Sequence, residues 1–157
     1  MGRSAEASEI LHSSQDLDLP VMILVLYLEA GMLARDQRTV QAIAPKLAPL
    51  ARRLLGSGNH LPSPVCVARL LGGAAALAGN AAEAEGYYRQ ALEVCERVRH
   101  RPELALSHLE LAELLLRGGS RDAEAISHLD VAIGELQEMK MQPALERALK
   151  HKGLLHA

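Results

Sequence analysis

The sequence predicts an all-α chain: antiparallel helical hairpins stacked in series, about seven helices, closed by a C-terminal capping helix. Three observations predict it. A spaced set of small and bulky residues recurs about every 41 positions. Gly72, Ala84, Tyr88 and Ala91 form its clearest copy; Ala112, Ala125, Leu129 and Ala132 follow at offsets of 40, 41, 41 and 41, and Gly31, Ile43, Leu47 and Leu50 precede it by 41 each. Self-similarity at a period of roughly 20–50 residues is the signature of a stacked array. No polar/apolar alternation persists, so no strand is predicted. Gly and Pro fall between the periodic segments, leaving short connections that make consecutive helices antiparallel.

The 157 residues read as one domain. Residues 1–17 are polar, with one weak helical turn. Asp18 caps the next helix, with Pro20 near its first turn, and the run VMILVLYLEAGMLARD carries it to about Asp36. A second helix runs from Arg38 to Leu55, and Pro45 and Pro49 predict a kink or break inside it. Residues 18–56 thus form a degenerate first hairpin. Gly56 to Pro64 is the evident linker, and residues 64–100 form the second hairpin, turning at Gly79-Asn80. Pro102 starts the third hairpin, residues 102–141, which turns at Gly118-Gly119 with Ser120 as a cap. Pro143 opens the capping helix, 143–156. Leu145, Ala148, Leu149 and Leu155 lie on one side of it, and Glu146, Arg147, Lys150 and Lys152 on the other.

Composition excludes several classes. The chain has three Tyr and no Phe or Trp, so its core is aliphatic and it lacks the aromatic platforms of single-stranded nucleic-acid binders. Net charge is −2, and the one short basic run, Arg97, Arg99 and Arg101, suits the negative end of a helix dipole rather than a phosphate-tracking stripe. No nucleic-acid or membrane partner is therefore expected. MGRSAEASE resembles no signal peptide, and Glu29 ends the apolar run Leu19–Leu28 well short of a bilayer's width, which points to a cytoplasmic chain. Cys66 and Cys95 have no metal-ligand spacing; they read as reduced core thiols, with a disulfide or redox pair as the alternative.

The spacing inside the hairpins resembles the tetratricopeptide repeat. In that family a small residue sits midway along the first helix, and small, aromatic and small residues along the second, as Gly72, Ala84, Tyr88 and Ala91 do here. Tyr27 and His108 take the slot four residues before Gly31 and Ala112. The family's usual period is about 34 residues, so the extra residues belong after the core of the second helix. HEAT and armadillo repeats, with periods of about 40–47, are the rival. The resemblance implies a short right-handed solenoid. The last 80 or so residues are also similar to the C-terminal repeat region of large bacterial signalling proteins, among them ATP-dependent transcription activators and nucleotide cyclases.

The resemblance further implies that the first helix of each hairpin lines a concave groove. On this chain that groove takes Val25, Leu28, Glu29, Met32 and Arg35 from the first hairpin, and Cys66, Arg69, Leu70, Gly73 and Leu77 from the second. From the third it takes Leu106, Leu109, Glu110, Glu113, Leu116 and Arg117. The family's carboxylate clamp needs Lys and Asn where Leu28, Met32, Arg69, Gly73, Leu109 and Glu113 stand. An amphipathic helix of a protein partner is expected instead, with self-association or ordinary core as alternatives for the leucines. The uncovered apolar run Val21–Leu28 points to a homodimer or another interface. No catalytic residues and no cofactor are expected. The alternative is a small ligand- or metal-binding protein with a site around His108, Glu110, Glu113 and His128. That spacing matches no bundle metal motif, because residues two apart face different sides of a helix.

Overall fold

A computed structural model of the chain describes residues 18–56, 64–119 and 121–155. The polar segment 1–17, most of the linker and the proposed Ser120 cap lie outside the described residues. Seven α-helices are present among them: α1 (Asp18–Leu33), α2 (Gln37–Leu47), α3 (Val67–Leu77), α4 (Ala81–Val98), α5 (Arg101–Gly118), α6 (Asp122–Glu138) and α7 (Gln142–Leu155). Consecutive helices pair as α1–α2, α3–α4 and α5–α6, and α7 packs on α6. The first helices of the hairpins also touch in series, α1 on α3, α3 on α5 and α5 on α7. The all-α helical-repeat fold expected from the sequence is what the chain adopts.

The turns share one construction. Arg35, Gly79, Arg99, Gly119 and Lys140 each follow a helix with positive φ, between 52° and 83°. That left-handed residue turns the chain so that the next amide reaches back into the helix just ended. The amides of Asp36, Asn80, His100 and Met141 thus donate to the carbonyls of Gly31, Ala75, Cys95 and Leu136 at 2.8–2.9 Å. Three of these residues also cap the helix that follows. The Asp36 carboxylate accepts from the amides of Arg38 and Thr39, the Asn80 carbonyl from Glu83, and His100 Nδ1 from Glu103.

The α2 helix runs through Pro45 and breaks only at Pro49. The α-helix stops at Leu47, one residue before Ala48, whose α conformation Pro49 disfavours, and a single 3₁₀ turn (Ala48–Leu50) follows. The chain then forms a ladder the sequence did not predict: β1 (Leu54–Leu55) pairs antiparallel with β2 (Val65–Cys66), Leu54 opposite Cys66. Two-residue strands are too short to show a period in sequence.

The core is mainly aliphatic and divides into clusters along the array. Val21, Val25, Leu28, Val40 and Leu47 pack with Leu70, Leu71 and Ala74 at one end. Tyr88, Leu109, Leu111, Leu115, Leu129, Leu136 and Ala148 fill the other. Within the second hairpin the close approach is literal. A Cβ added at Gly72 would sit 2.7 Å from two ring carbons of Tyr88, so the ring lies flat over the glycine. The ring fills the space that Gly72 vacates, in its own hairpin. Tyr27, predicted for a comparable packing slot, is instead 59 % exposed on the outer face of α1. Leu149, predicted on the packed face of α7, is half-exposed, while Ala148 is sealed and Leu145 packs on the third hairpin.

Candidate functional site

The helices α1, α3, α5 and α7, with Tyr88 of α4, enclose a cleft of about 730 Å³. Its centre is an ion network built on Arg69 of α3. Arg69 donates to both oxygens of Glu103, Nε to Oε2 at 2.8 Å and Nη2 to Oε1 at 3.0 Å, and through Nη1 to Glu110 at 2.8 Å. Glu103 Oε2 also accepts the backbone N–H of Cys66, at 2.8 Å, so a carboxylate of the third hairpin caps the start of α3 in the second. Glu103 is 4 % exposed. A buried carboxylate with three donors is tolerated because each lone pair that left water has found a partner.

The network continues toward the C-terminus. Arg147 of α7 reaches Glu113 at 2.8 Å and approaches Glu110 at 3.9 Å, and His151 Nε2 lies 3.1 Å from Glu113. Arg147, from the charged side of α7, thus stands on the cleft wall, while Glu146 and Lys150 of the same side are exposed. Burial opposes the Arg69 charge, but Glu110 and Glu103 beside it outweigh that and raise its pKa, so it stays a guanidinium. Burial raises the Glu110 carboxyl against the pull of Arg69 and Arg147, and raises that of Glu29 against the pull of Arg69.

The structure brings Glu29, Met32, Arg35, Arg69, Leu70, Gly73, Leu77, Glu110, Glu113 and Arg117 to the walls of this one cleft. It does not bring the rest of the predicted groove there. Val25, Leu28, Leu109 and Cys66 are fully buried, so the three aliphatic residues are core rather than binding surface. Val25 and Leu28 lie on α1, which is apolar nearly all round, and Leu109 stands beside Glu110 on α5, so periodicity alone does not separate the inward stripe from the groove. Leu106 and Leu116 pack partly buried against the core and are not cleft residues. Sequence reading missed Tyr88, Ala76 and Arg147 on the walls and Glu103 behind them. One signal was available: Arg69 and Glu110 stand 41 residues apart, one full period, with opposite charges.

The alternative quartet does not converge. His108 and His128 meet each other, Nδ1 to Nδ1 at 2.7 Å with ring centres 5.0 Å apart, while Glu110 and Glu113 belong to the cleft. Burial, then the neighbouring His128, lowers the His108 pKa to about 4. Burial also lowers that of His128, against the pull of Glu124. At neutral pH both rings are therefore neutral, and one Nδ1–H donates to the other Nδ1. No group of three or more His, Cys, Asp or Glu able to hold a metal ion occurs among the described residues. Cys66 and Cys95 are both fully buried free thiols in one small cluster.

Known proteins agree with this architecture at the level of the repeat. Residues 64–134, the second hairpin and most of the third, match the family model described as Tetratricopeptide repeat. No curated protein and no solved structure matches the chain. The matched segment is a tetratricopeptide-like helical array, a class that generally mediates protein–protein interaction. Among the described residues, no helix is long and apolar enough to cross a membrane.

Proposed function

We propose that the chain is a non-enzymatic protein-interaction module whose cleft receives an amphipathic helix of a partner. The observation that carries this is the cleft itself. Met32, Leu70, Ala76 and Leu77 provide an apolar floor between charged walls, and Gly73 lets the Met32 side chain lie close over α3, where an added Cβ would meet its sulfur at 3.1 Å. A helix laid there buries its apolar stripe and keeps its polar edges against the walls. The charged groups at the centre are already bound to one another, which suits a fixed frame better than a reacting set.

Selection from a displayed library of 16-residue amphipathic helices tests the reading. Helices enrich on the wild-type protein and lose binding to Gly73→Leu, whose side chain fills the floor. Failure to enrich any helix that is sensitive to Gly73→Leu defeats it.

A second surface favours self-association. Ile23, Leu26 and Tyr27 are 44, 53 and 59 % exposed on α1, and with Ala30 they form one uncharged helical stripe that runs up to Leu33 on the cleft wall. An uncharged stripe meets its own copy without repulsion, as a two-fold interface requires. The homodimer reading gives twice the monomer mass in light scattering, and a monomer with Leu26→Glu. A wild-type monomer at high concentration removes it. We place the module as the regulatory or sensor segment of a larger bacterial signalling protein or transcription regulator, on the likeness of its last 80 or so residues to such regions. A transcript that joins it to no nucleotide-binding or DNA-binding module counts against that placement.

A further inference from the structure

The chain has two cysteines in 157 residues, and the fold brings them together. Cys66 ends β2 and stands at the N-cap of α3, and Cys95 lies in the last turn of α4. These helices form an antiparallel hairpin, so the start of one faces the end of the other. That is the open end of the second hairpin, away from its turn at Gly79-Asn80. Both thiols are fully buried in one cluster with Ala68, Ala91 and Val94, with Leu54 and Leu104 packed against it. A buried thiol packs as a small hydrophobe, a role that alanine and valine already fill beside it. Here the two thiols also hydrogen-bond to each other.

The two sulfurs are not equivalent. Cys66 opens a helix, where the first amides and the helix dipole favour negative charge. The Cys95 S–H, donating to the Cys66 sulfur, lowers the Cys66 pKa most. Burial opposes it, and the amides of Arg69 and Ala68 add to the lowering against the Glu103 charge. Cys95 stands at the other polarity, near a helix C-terminus. Its hydrogen bond to Cys66, then burial, raises its pKa. The Cys66 backbone is also pinned, its N–H donating to Glu103 Oε2 at 2.8 Å. One sulfur is thus prepared as a nucleophile, and the other keeps its proton beside it.

We propose that Cys66 and Cys95 form a reversible disulfide, a redox modification site in which Cys66 reacts first with hydrogen peroxide and Cys95 resolves it. The Cys66 thiolate attacks one peroxide oxygen. The O–O bond breaks, and the hydroxide that leaves takes up the proton Cys66 gave, as water. Cys66 is then a sulfenic acid. The Cys95 sulfur attacks it, the S–O bond breaks, and the departing hydroxide leaves with the Cys95 proton as a second water. Two thiols lose two electrons and two protons, and the peroxide gains both. Full burial makes the step slow and favours the smallest oxidant. Leu54, which packs against the pair, belongs to the two-residue strand β1, so a local opening there is enough to admit it. The bond closes a loop of about 30 residues at the open end of the hairpin and stiffens it. It is independent of what the cleft binds.

Mass spectrometry of the whole folded chain decides it. Wild type treated with hydrogen peroxide is expected to lose the mass of two hydrogens, and dithiothreitol restores it. Peptide mapping joins Cys66 to Cys95 within one chain. The oxidised protein melts about 5 °C or more above the reduced one. Cys95→Ala stops at the Cys66 sulfenic acid, which dimedone captures, while Cys66→Ala captures none. A cooperative melt shows that each variant is folded. Should either fail to fold, limiting iodoacetamide on reduced wild type reads the same order, alkylating Cys66 before Cys95. Wild type that keeps both thiols while folded, that reacts only in urea, or that links between chains overturns the proposal. Capture or alkylation at Cys95 first overturns the order of the two steps.

Discussion

The junction between the second and third hairpins and the junction between the first and second are built by different means. The second-to-third junction is ionic as well as apolar: Arg69 spans it to Glu103 and Glu110, Arg89 to Glu124, and Arg121 to Glu85. The first-to-second junction is apolar, with Val21, Val25 and Leu28 against Leu70 and Leu71, and no salt bridge among the described residues involves the first hairpin. The second-to-third contact is fixed by side-chain ion pairs, the first-to-second by apolar packing and the short backbone ladder of β1 with β2. Apolar burial is non-directional, so at this junction the register rests on that ladder alone. The difference also follows the family match, which begins at residue 64.

Four experiments break or sharpen this contrast. The largest effect is expected from Glu103→Ala, which leaves Arg69 buried and the Cys66 amide without its acceptor. Removing one partner of a buried pair costs about 3–5 kcal/mol, read as a lower urea midpoint. A change below about 1 kcal/mol would show that the junction is held by its apolar contacts alone.

Next comes the slot that Gly31, Gly72 and Ala112 share in the three hairpins. Gly72→Ala drives a methyl into the Tyr88 ring and is expected to cost about 1–3 kcal/mol. Gly31→Ala meets the Thr39 methyl at 3.0 Å, its Cβ at 3.3 Å and a Val40 methyl at 3.4 Å, a looser fit that is expected to cost less than Gly72→Ala. The second hairpin is rescued by adding Tyr88→Leu to Gly72→Ala, which reproduces the Ala112 and Leu129 of the third. Equal destabilisation by the two single changes would erase the contrast.

A smaller, graded effect comes from pH. His108 titrates at about 4 in the folded chain against an ordinary 6.5. A group with a depressed folded pKa stabilises above its unfolded pKa and loses that contribution as pH falls through the folded one. Stability falls from about pH 6.5 toward 4, and His108→Gln flattens the slope. The raised carboxyls of Glu29 and Glu110 work the other way: they destabilise while charged and gain as pH falls, so the slope steepens in Glu29→Gln. Amide exchange places the acid loss in α5 and α6 rather than in α1. A loss centred on α1 would contradict this assignment.

The smallest effect is a gain. Arg99→Gly relieves a left-handed backbone worth up to about 1 kcal/mol after the glycine's extra chain entropy is counted. An unchanged or lower melting temperature would show that the Arg99 side chain compensates the strain.

These contrasts also explain what could be read from the chain. The hairpins were legible because Gly72, Ala84, Tyr88 and Ala91 answer a steric need that repeats whenever two helices meet closely. The cleft was half legible. Mapping by helix face finds Met32, Arg69, Gly73 and Arg117, but it also collects Leu28 and Leu109, since leucines at the border of the groove and in the core beside it look alike in sequence. Glu103 was illegible, because its partners are an arginine 34 positions away and a backbone amide, which has no sequence signature. The β1–β2 ladder and the His100 cap escaped for the same reason: each is a single local bond rather than a pattern.

The Glu103 carboxylate has a further consequence, in the history of the gene. Repeat arrays grow and shrink by copying or dropping one unit. A chain that lost its third hairpin would strand Arg69 in the second and leave the start of α3 uncapped; one that lost its second would bury Glu103 without a partner. These two hairpins must therefore be inherited together, as a unit of about 80 residues that recombination cannot cut. The junction before them is joined by apolar contacts and backbone bonds, which ask for no particular side-chain charge, so substitution there is less constrained than in the pair behind it.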